Sequence, residues 1–233
     1  GDSTQTVVNP NTLGDQNPSH TYTQNTGMYI IKITTSDNYL EWSYTGYNGN
    51  TNNDYYKTLI TVNSPFLKGV SNHPLASCTA LTTIPSNLFI NNDEVVSFNH
   101  FFYKCSLTTI PSDLFKYNIY ATDFGYCFSS CYSLTAIPTD LFIYNILATN
   151  FGSCFQSCIA LTTIPEYLFR YNLEATNFSS CFQPTRNITI NPNIFCDPTT
   201  EKTTRFAGKT INFSTCFLRG TTTFTGVQGT APD

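Results

Sequence analysis

Charge is what this chain has least of. Asp, Glu, Lys and Arg make up 11% of it, where an ordinary globular sequence carries about 25%. Only 11 of the 233 residues are Lys or Arg, and the net charge is −4. With no basic run, a surface that holds nucleic-acid phosphates is not expected. Long apolar runs are missing too. No segment approaches the roughly 18–20 apolar residues of a membrane span. The first residues, GDSTQTVVNP, have neither a basic n-region nor an apolar h-region. No signal peptide is read there, and the expectation is a processed product or a piece of a longer chain.

What is present is aromatic. There are 19 Phe and 15 Tyr, and 40% of the chain is hydrophobic. That is apolar area enough for a core, which excludes disorder. Asn, Thr, Ser and Tyr supply most of the polar surface.

The apolar residues recur with a fixed period. Ile84, Ile110, Ile137, Ile164 and Ile190 lie 26, 27, 27 and 26 residues apart. Phe89, Phe115, Phe142, Phe169 and Phe195 keep the same steps, and Leu81, Leu107, Leu134 and Leu161 run with them. The unit reads F-x-x-C-x-x-L-T-x-I-P-x-x-L-F-x-Y-N-x-x-A-T-N-F-x-x-C. The copy at 105–107 is one residue short. The last copy, from about Thr185, is degenerate and carries an insertion of about nine residues before TINFSTCF. A unit this short cannot bury its own apolar face, but stacked copies can.

Proline in every copy (Pro85, Pro111, Pro138, Pro165) forbids a continuous helix. LTTIP and ATNFSSCF, rich in Thr, Ile and Phe, read as short strands. The stretch PSDLFKYN between them reads as a single helical or 3₁₀ turn, with Ser112 as its cap and Asn118 closing it. The expected fold class is therefore mostly β: a short solenoid of about five coils. At about 4.8 Å per coil, it would be a rod about 20–25 Å long. The expected divisions are a small β domain at 1–65, the solenoid at 66–217 and a tail at 218–233.

F-x-x-C-x-x-L-x-x-I-P resembles the BspA-like leucine-rich repeat, and in particular the 26-residue-repeat surface proteins of gut bacteria and their phages. The likeness covers about Leu75–Phe217. It departs from the pattern at Thr185, which replaces a cysteine, and at the insertion. The resemblance implies a leucine-rich-repeat-type solenoid exposed on a bacterial cell or a virion. In the front segment, H-T-Y-x-x-x-x-G-x-Y-x-I-x-I, beginning at His20, is similar to the closing strands of a PKD-like β-sandwich. A complete sandwich needs about 80–100 residues, so residues 1–65 would be a remnant or cap.

Nine cysteines fall mostly on the repeat, in the ladders Cys78, Cys105, Cys131, Cys158 and Cys127, Cys154, Cys181, Cys216, with Cys196 apart. Disulfides and zinc are the functional readings. An odd count and the absence of His20, His73 and His100 from the ladder favour buried thiols that pack as small apolar groups. Asp123, Asn150, Asn177 and Asn212 form a column that could hold calcium. A structural column, bonding the backbone of the next coil, is the favoured reading. Thr82, Thr108, Thr135 and Thr162 make a single rank, short of the two-rank array of an ice-binding solenoid; Thr83, Thr109, Ala136 and Thr163 are expected to point the other way. No acid pair or triad stands out for a glycan-acting enzyme, which is the rival class. No catalytic residue, metal or cofactor is assigned.

The candidate binding residues are Tyr117, Tyr144 and Tyr171, in register, with the pairs Ile119–Tyr120 and Ile146–Leu147 beside them. Tyr supplies rigid contact area at low entropic cost, and adjacent exposed apolar residues mark an interface. The neighbouring positions vary between copies: Ile90, Lys116, Ile143 and Arg170. The expected function is a non-catalytic surface module, either a virion structural or attachment protein or a bacterial adhesin. Its partners would be protein neighbours in a surface assembly or a cell-surface glycan, at an extracellular or virion surface.

Overall fold

The computed structural model describes residues 75–183, 189–190, 193–195, 206 and 208–217. The expected β domain at 1–65 and the tail at 218–233 lie outside the described residues, as do His20, His73 and Cys196.

Among the described residues there is no helix. β1 (Thr163–Ile164) and β2 (Thr189–Ile190) are parallel, with Thr163 opposite Thr189 and Ile164 opposite Ile190. Isolated parallel bridges join Ser97 to Asp123, Asp123 to Asn150, Asn150 to Asn177 and Asn177 to Asn212. Each repeat thus lies beside the next in one register. Strand is scarcer than the Thr- and Ile-rich segments predict.

The reason is visible in the segment that follows each bridge. Phe124, Tyr126, Phe128 and Ser130 donate their backbone N–H forward to the carbonyls of Asn150, Gly152, Cys154 and Gln156, at 2.7–2.9 Å. The N–H groups between them turn back three residues: Cys127 to Phe124, Ser129 to Tyr126, Cys131 to Phe128. Alternate donors serve the neighbouring repeat and the local turn, so no N–H in the run is left over. This geometry needs left-handed backbone every fourth residue. Tyr126 has φ 55° and Ser130 φ 62°, and the same two places in adjoining repeats are His100 and Lys104, then Ser153 and Ser157. A left-handed non-glycine residue costs about 1–2 kcal/mol. Two such residues per repeat break the extended run, and the forward hydrogen bonds offset them.

The stretch after each proline is also turns rather than a helix. Leu114 N–H bonds Pro111 O at 3.2 Å, Lys116 bonds Asp113 at 3.1 Å and Asn118 bonds Phe115 at 3.1 Å. These bonds skip residues and never build a continuous ladder. In the Thr segment, Thr108 and Thr109 are both exposed between buried Leu107 and Ile110, where simple alternation predicts one of them inside. The segment is rounding a corner rather than running flat.

Three aromatic columns fill the interior. Phe89, Phe115, Phe142, Phe169 and Phe195 form the first, Phe98, Phe124, Phe151, Phe178 and Phe213 the second, and Phe102, Phe128, Phe155, Phe182 and Phe217 the third. Within a column, rings lie 5.2–5.9 Å apart and within 18° of parallel. Between columns they meet edge to face, as Phe142 meets Phe151 at 4.8 Å. Edge-to-face pairs are each worth about 0.5–1.5 kcal/mol beyond their burial.

The eight described cysteines are buried and unpaired. In one ladder, the Sγ of Cys105, Cys131 and Cys158 each donates to a carbonyl of the preceding repeat, at Leu75, Phe102 and Phe128, 3.1–3.2 Å away. Burial pushes the thiols up, Cys78, Cys158 and Cys216 to about 12. They are inert packing groups.

Candidate functional site

The turn after the proline positions every candidate residue. Leu114, Phe115, Asn118 and Ala121 point inward and are buried. Lys116, Tyr117, Ile119 and Tyr120 are what remains, and they must point out. The same division recurs in the next two repeats, where Asn145 and Asn172 are buried in turn.

Those asparagines hold the turn in place. Asn118 Nδ2 donates to Asn92 O at 2.6 Å. Asn145 Nδ2 donates to Asn118 O at 2.8 Å and Phe115 O at 3.2 Å. Asn172 Nδ2 repeats this on Asn145 O and Phe142 O, at 2.8 and 3.1 Å. A buried amide ladder therefore ties each outer turn to the one before it. Reading Asn118 as a residue that merely closes a turn misses this. The signal was in the sequence: Asn92, Asn118, Asn145 and Asn172 keep the period through the four regular copies, and Pro198 stands at the place in the degenerate fifth. The Oδ1 atoms of Asn118 and Asn145 are buried with no donor.

The seven sequence candidates all stand at the surface. Tyr117, Tyr144, Tyr171, Ile119, Tyr120, Ile146 and Leu147 are between 40% and 56% exposed. Leu173 extends the same rank and is also exposed. Cations lie over the tyrosines at both ends: Lys116 Nζ is 5.9 Å from the Tyr117 ring centre, and the Arg170 guanidinium is 4.3 Å from that of Tyr171. Arg170 also donates to the Tyr171 hydroxyl. The structure thus brings the seven residues onto one outer strip in register.

The polar column at the bridges is a second periodic feature. Asn150 Nδ2 donates to Asp123 Oδ1 at 2.7 Å, and Asn177 Nδ2 to Asn150 Oδ1 at 2.8 Å. The same oxygens accept the N–H two residues on, from Gly125 and Gly152 at 2.8 and 2.9 Å. Its side chains therefore bond one another and their own turns, rather than the backbone of the next repeat. Asp123 Oδ2 accepts from Asn99 and Ser97 at 3.2 and 3.3 Å. All four of its acceptor directions are used, which leaves this carboxylate little to offer a metal or a substrate. Among the described residues, no group of three or more His, Cys, Asp or Glu is placed to hold a metal ion.

One cluster was not singled out from sequence. The His100 ring stacks on Tyr126 at 4.5 Å and meets Tyr103 edge-on at 5.4 Å, with Lys104 Nζ 5.0 Å from the Tyr103 ring centre. His100 Nδ1 shares a hydrogen bond with Asn99 Oδ1. Tyr126 occupies a place that Ser153 and Ser180 fill in later repeats, so periodicity gives no warning of it.

Among the described residues no helix is long and apolar enough to cross a membrane. A scan of the chain against protein-family models finds no match, and a search of curated proteins finds none either. The resemblance to BspA-like repeats therefore rests on the repeat's own letters.

Proposed function

We propose that the chain is a non-catalytic, surface-exposed recognition or structural module, built as a short leucine-rich-repeat-type solenoid. It serves as a virion structural or attachment protein, or as a bacterial surface adhesin, and binds a protein partner through the outer turns. One observation carries this reading. Three consecutive repeats bury the same Leu, Phe and Asn in the turn, yet present exposed Tyr117, Ile119 and Tyr120, then Tyr144, Ile146 and Leu147, then Tyr171 and Leu173 beside them. Exposed apolar residues are tolerated singly, but an unbroken rank of them marks an interaction surface. Tyr with aliphatic anchors is a side-chain set suited to the centre of an interface. The low charge and the Asn- and Thr-rich surface support an extracellular or virion setting, as does the resemblance of the repeat.

The test is a double substitution, Tyr144→Ser with Leu147→Ser. Attachment of the full chain to its cell or particle should fall at least about tenfold, the loss of one strong anchor. The melting temperature should stay close to that of the unaltered chain. Unchanged attachment, or a collapse in stability, would overturn the assignment of this strip.

A further inference from the structure

Six of the seven carboxylates among the described residues stand exposed on the outer turns: Asp93, Glu94, Asp113, Asp140, Glu166 and Glu174. The amide ladder fixes where they lie, with Asn118 held on Asn92, Asn145 on Asn118 and Asn172 on Asn145. Asp93 and Glu94 therefore precede Ile119 and Tyr120 in the same two ranks. Leu173 and Glu174 follow Ile146 and Leu147. Asp113 and Asp140 open the turns that carry Tyr117 and Tyr144, where their carbonyls accept from Lys116 and Ile143 at 3.1 and 3.2 Å. Glu166 opens the turn that carries Tyr171. The apolar strip is thus bordered by acid at both ends and at the start of its turns.

Three cations reach these turns, and each is engaged within the chain. Lys116 lies over Tyr117, and Arg170 lies over Tyr171. Lys209 Nζ is 3.0 Å from Glu174 Oε2. Carboxylates remain in excess. The pairing of tyrosine with cation breaks at the centre of the strip. Tyr144 follows Ile143, where Tyr117 follows Lys116 and Tyr171 follows Arg170. Among the described residues no cation lies over Tyr144, although it is 42% exposed.

We propose that the occupant of this strip is a protein surface of opposite charge: an apolar centre, a rim of Lys and Arg, and one cation seated on the Tyr144 ring. This rests on reading the strip as the recognition face. Tyr117 and Tyr171 show that a ring in this column takes a cation. The contact at Tyr144 gains strength once an interface excludes water. Each exposed carboxylate alone contributes little. Set together around one patch, they speed encounter with a basic partner and reject an acidic one. A second copy of the chain would bring carboxylates against carboxylates. An anionic lipid surface or an acidic polysaccharide would be repelled in the same way. A neutral oligosaccharide would bind without regard to the acids.

Attachment of the full chain to its cell or particle, measured over a range of salt, tests this. Asp93→Lys with Glu94→Lys should weaken attachment at least about tenfold at low salt, and the difference should shrink as salt rises. Tyr144→Phe keeps a ring face and Tyr144→Leu does not, so the Phe variant should attach about fivefold more strongly than the Leu variant. Blocking the lysines and arginines of the cell or particle, with succinic anhydride and phenylglyoxal, should abolish attachment of the unaltered chain. Oxidising its sugars with periodate should not. Acid reversal that leaves attachment unchanged or strengthens it would overturn the basic partner. So would a Leu variant equal to the Phe variant, or attachment lost to periodate and kept after lysine and arginine are blocked. If one of those results stands while Tyr144→Ser with Leu147→Ser still abolishes attachment, the basic partner alone falls and the recognition face survives. If that double variant also attaches like the parent, both fall.

Discussion

Asn150 gives its side-chain amide to Asp123 at 2.7 Å and takes one from Asn177 at 2.8 Å, so a single residue is donor to the repeat before it and acceptor to the repeat after it. The direction of the chain of bonds follows from its first member. A carboxylate only accepts, so Asn150 must turn its Nδ2 toward Asp123, which leaves its Oδ1 for Asn177. The side-chain link ends at Asn177, although Asn212 continues the column through the backbone bridge.

Glycine explains where the link runs. A Cβ on Gly152 would lie 2.7 Å from Asn177 Nδ2 and 3.1 Å from Asn150 Oδ1. In the following repeat the equivalent place is Ser179, and there the amide link is missing. Gly152→Ala should therefore cost about 0.5–2 kcal/mol, the scale of a broken and partly buried hydrogen bond, whereas Ser179→Ala should cost under about 0.5 kcal/mol. Urea denaturation of the two variants checks this.

The buried amide ladder should matter more. Asn145→Ala removes the donor to Phe115 O and Asn118 O together and leaves two carbonyls without it. A loss of about 2–4 kcal/mol is expected. Denaturant unfolding measures it, and hydrogen exchange at the Asn118 and Ala148 amides, which bond Phe115 O and Asn145 O, should quicken as the outer turn loosens.

Interior and exterior should separate cleanly under substitution. Phe142 stacks on Phe115 and Phe169 at 5.9 Å each and is fully buried, so Phe142→Ala should cost about 3–5 kcal/mol. Lys116→Ala should cost under about 0.5 kcal/mol. Equal losses at the two positions would mean that inside and outside are reversed.

Alkali should unfold the protein through its thiols. Burial holds the thiols well above the ordinary value of about 8.5 that they take when unfolded, Cys78, Cys158 and Cys216 at about 12. The unfolded state therefore binds fewer protons above about pH 8.5, and stability falls as pH rises. Each thiol removes up to about 1.4 kcal/mol per pH unit across that window. The melting temperature should drop steeply above about pH 9 from its value near pH 7–8. Replacing Cys127 and Cys154 by Ala should make the drop shallower. Thiol titration should find few reactive groups before unfolding and most of them after it.

Much of this arrangement was legible because a repeat reports its own inside. Leu, Ile, Phe and Cys that return every 26–27 residues can only be stacking positions, and Leu81, Ile84, Phe89 and Cys78 are buried with their counterparts through Leu161, Ile164, Phe169 and Cys158. The Tyr column was legible for the complementary reason, since its neighbours change charge from Lys116 to Ile143 to Arg170. What was not legible is how the backbone runs. Thr and Ile favour strands, but the left-handed residues at Tyr126 and Ser130 are neither Gly nor Asn, and nothing in their side chains announces them. They are imposed by hydrogen bonds to the next repeat, a tertiary cause that local propensity does not contain. The partner of Asn118 was hidden in the same way, for a side chain read within one repeat has no carbonyl 26 residues away.

The recognition strip is the central claim, and tyrosine accessibility tests it most directly. A tyrosine-selective modifying reagent would be applied to the dilute free chain and to the chain in place on its cell or particle. In the free chain Tyr117, Tyr144, Tyr171 and Tyr132 should all react, because all are exposed. In place, the three column tyrosines should be protected several-fold, while Tyr132, which belongs to a different corner of the repeat, should react as before. Protection of Tyr132 with Tyr117, Tyr144 and Tyr171 still fully reactive would contradict the account and place the contact on another face.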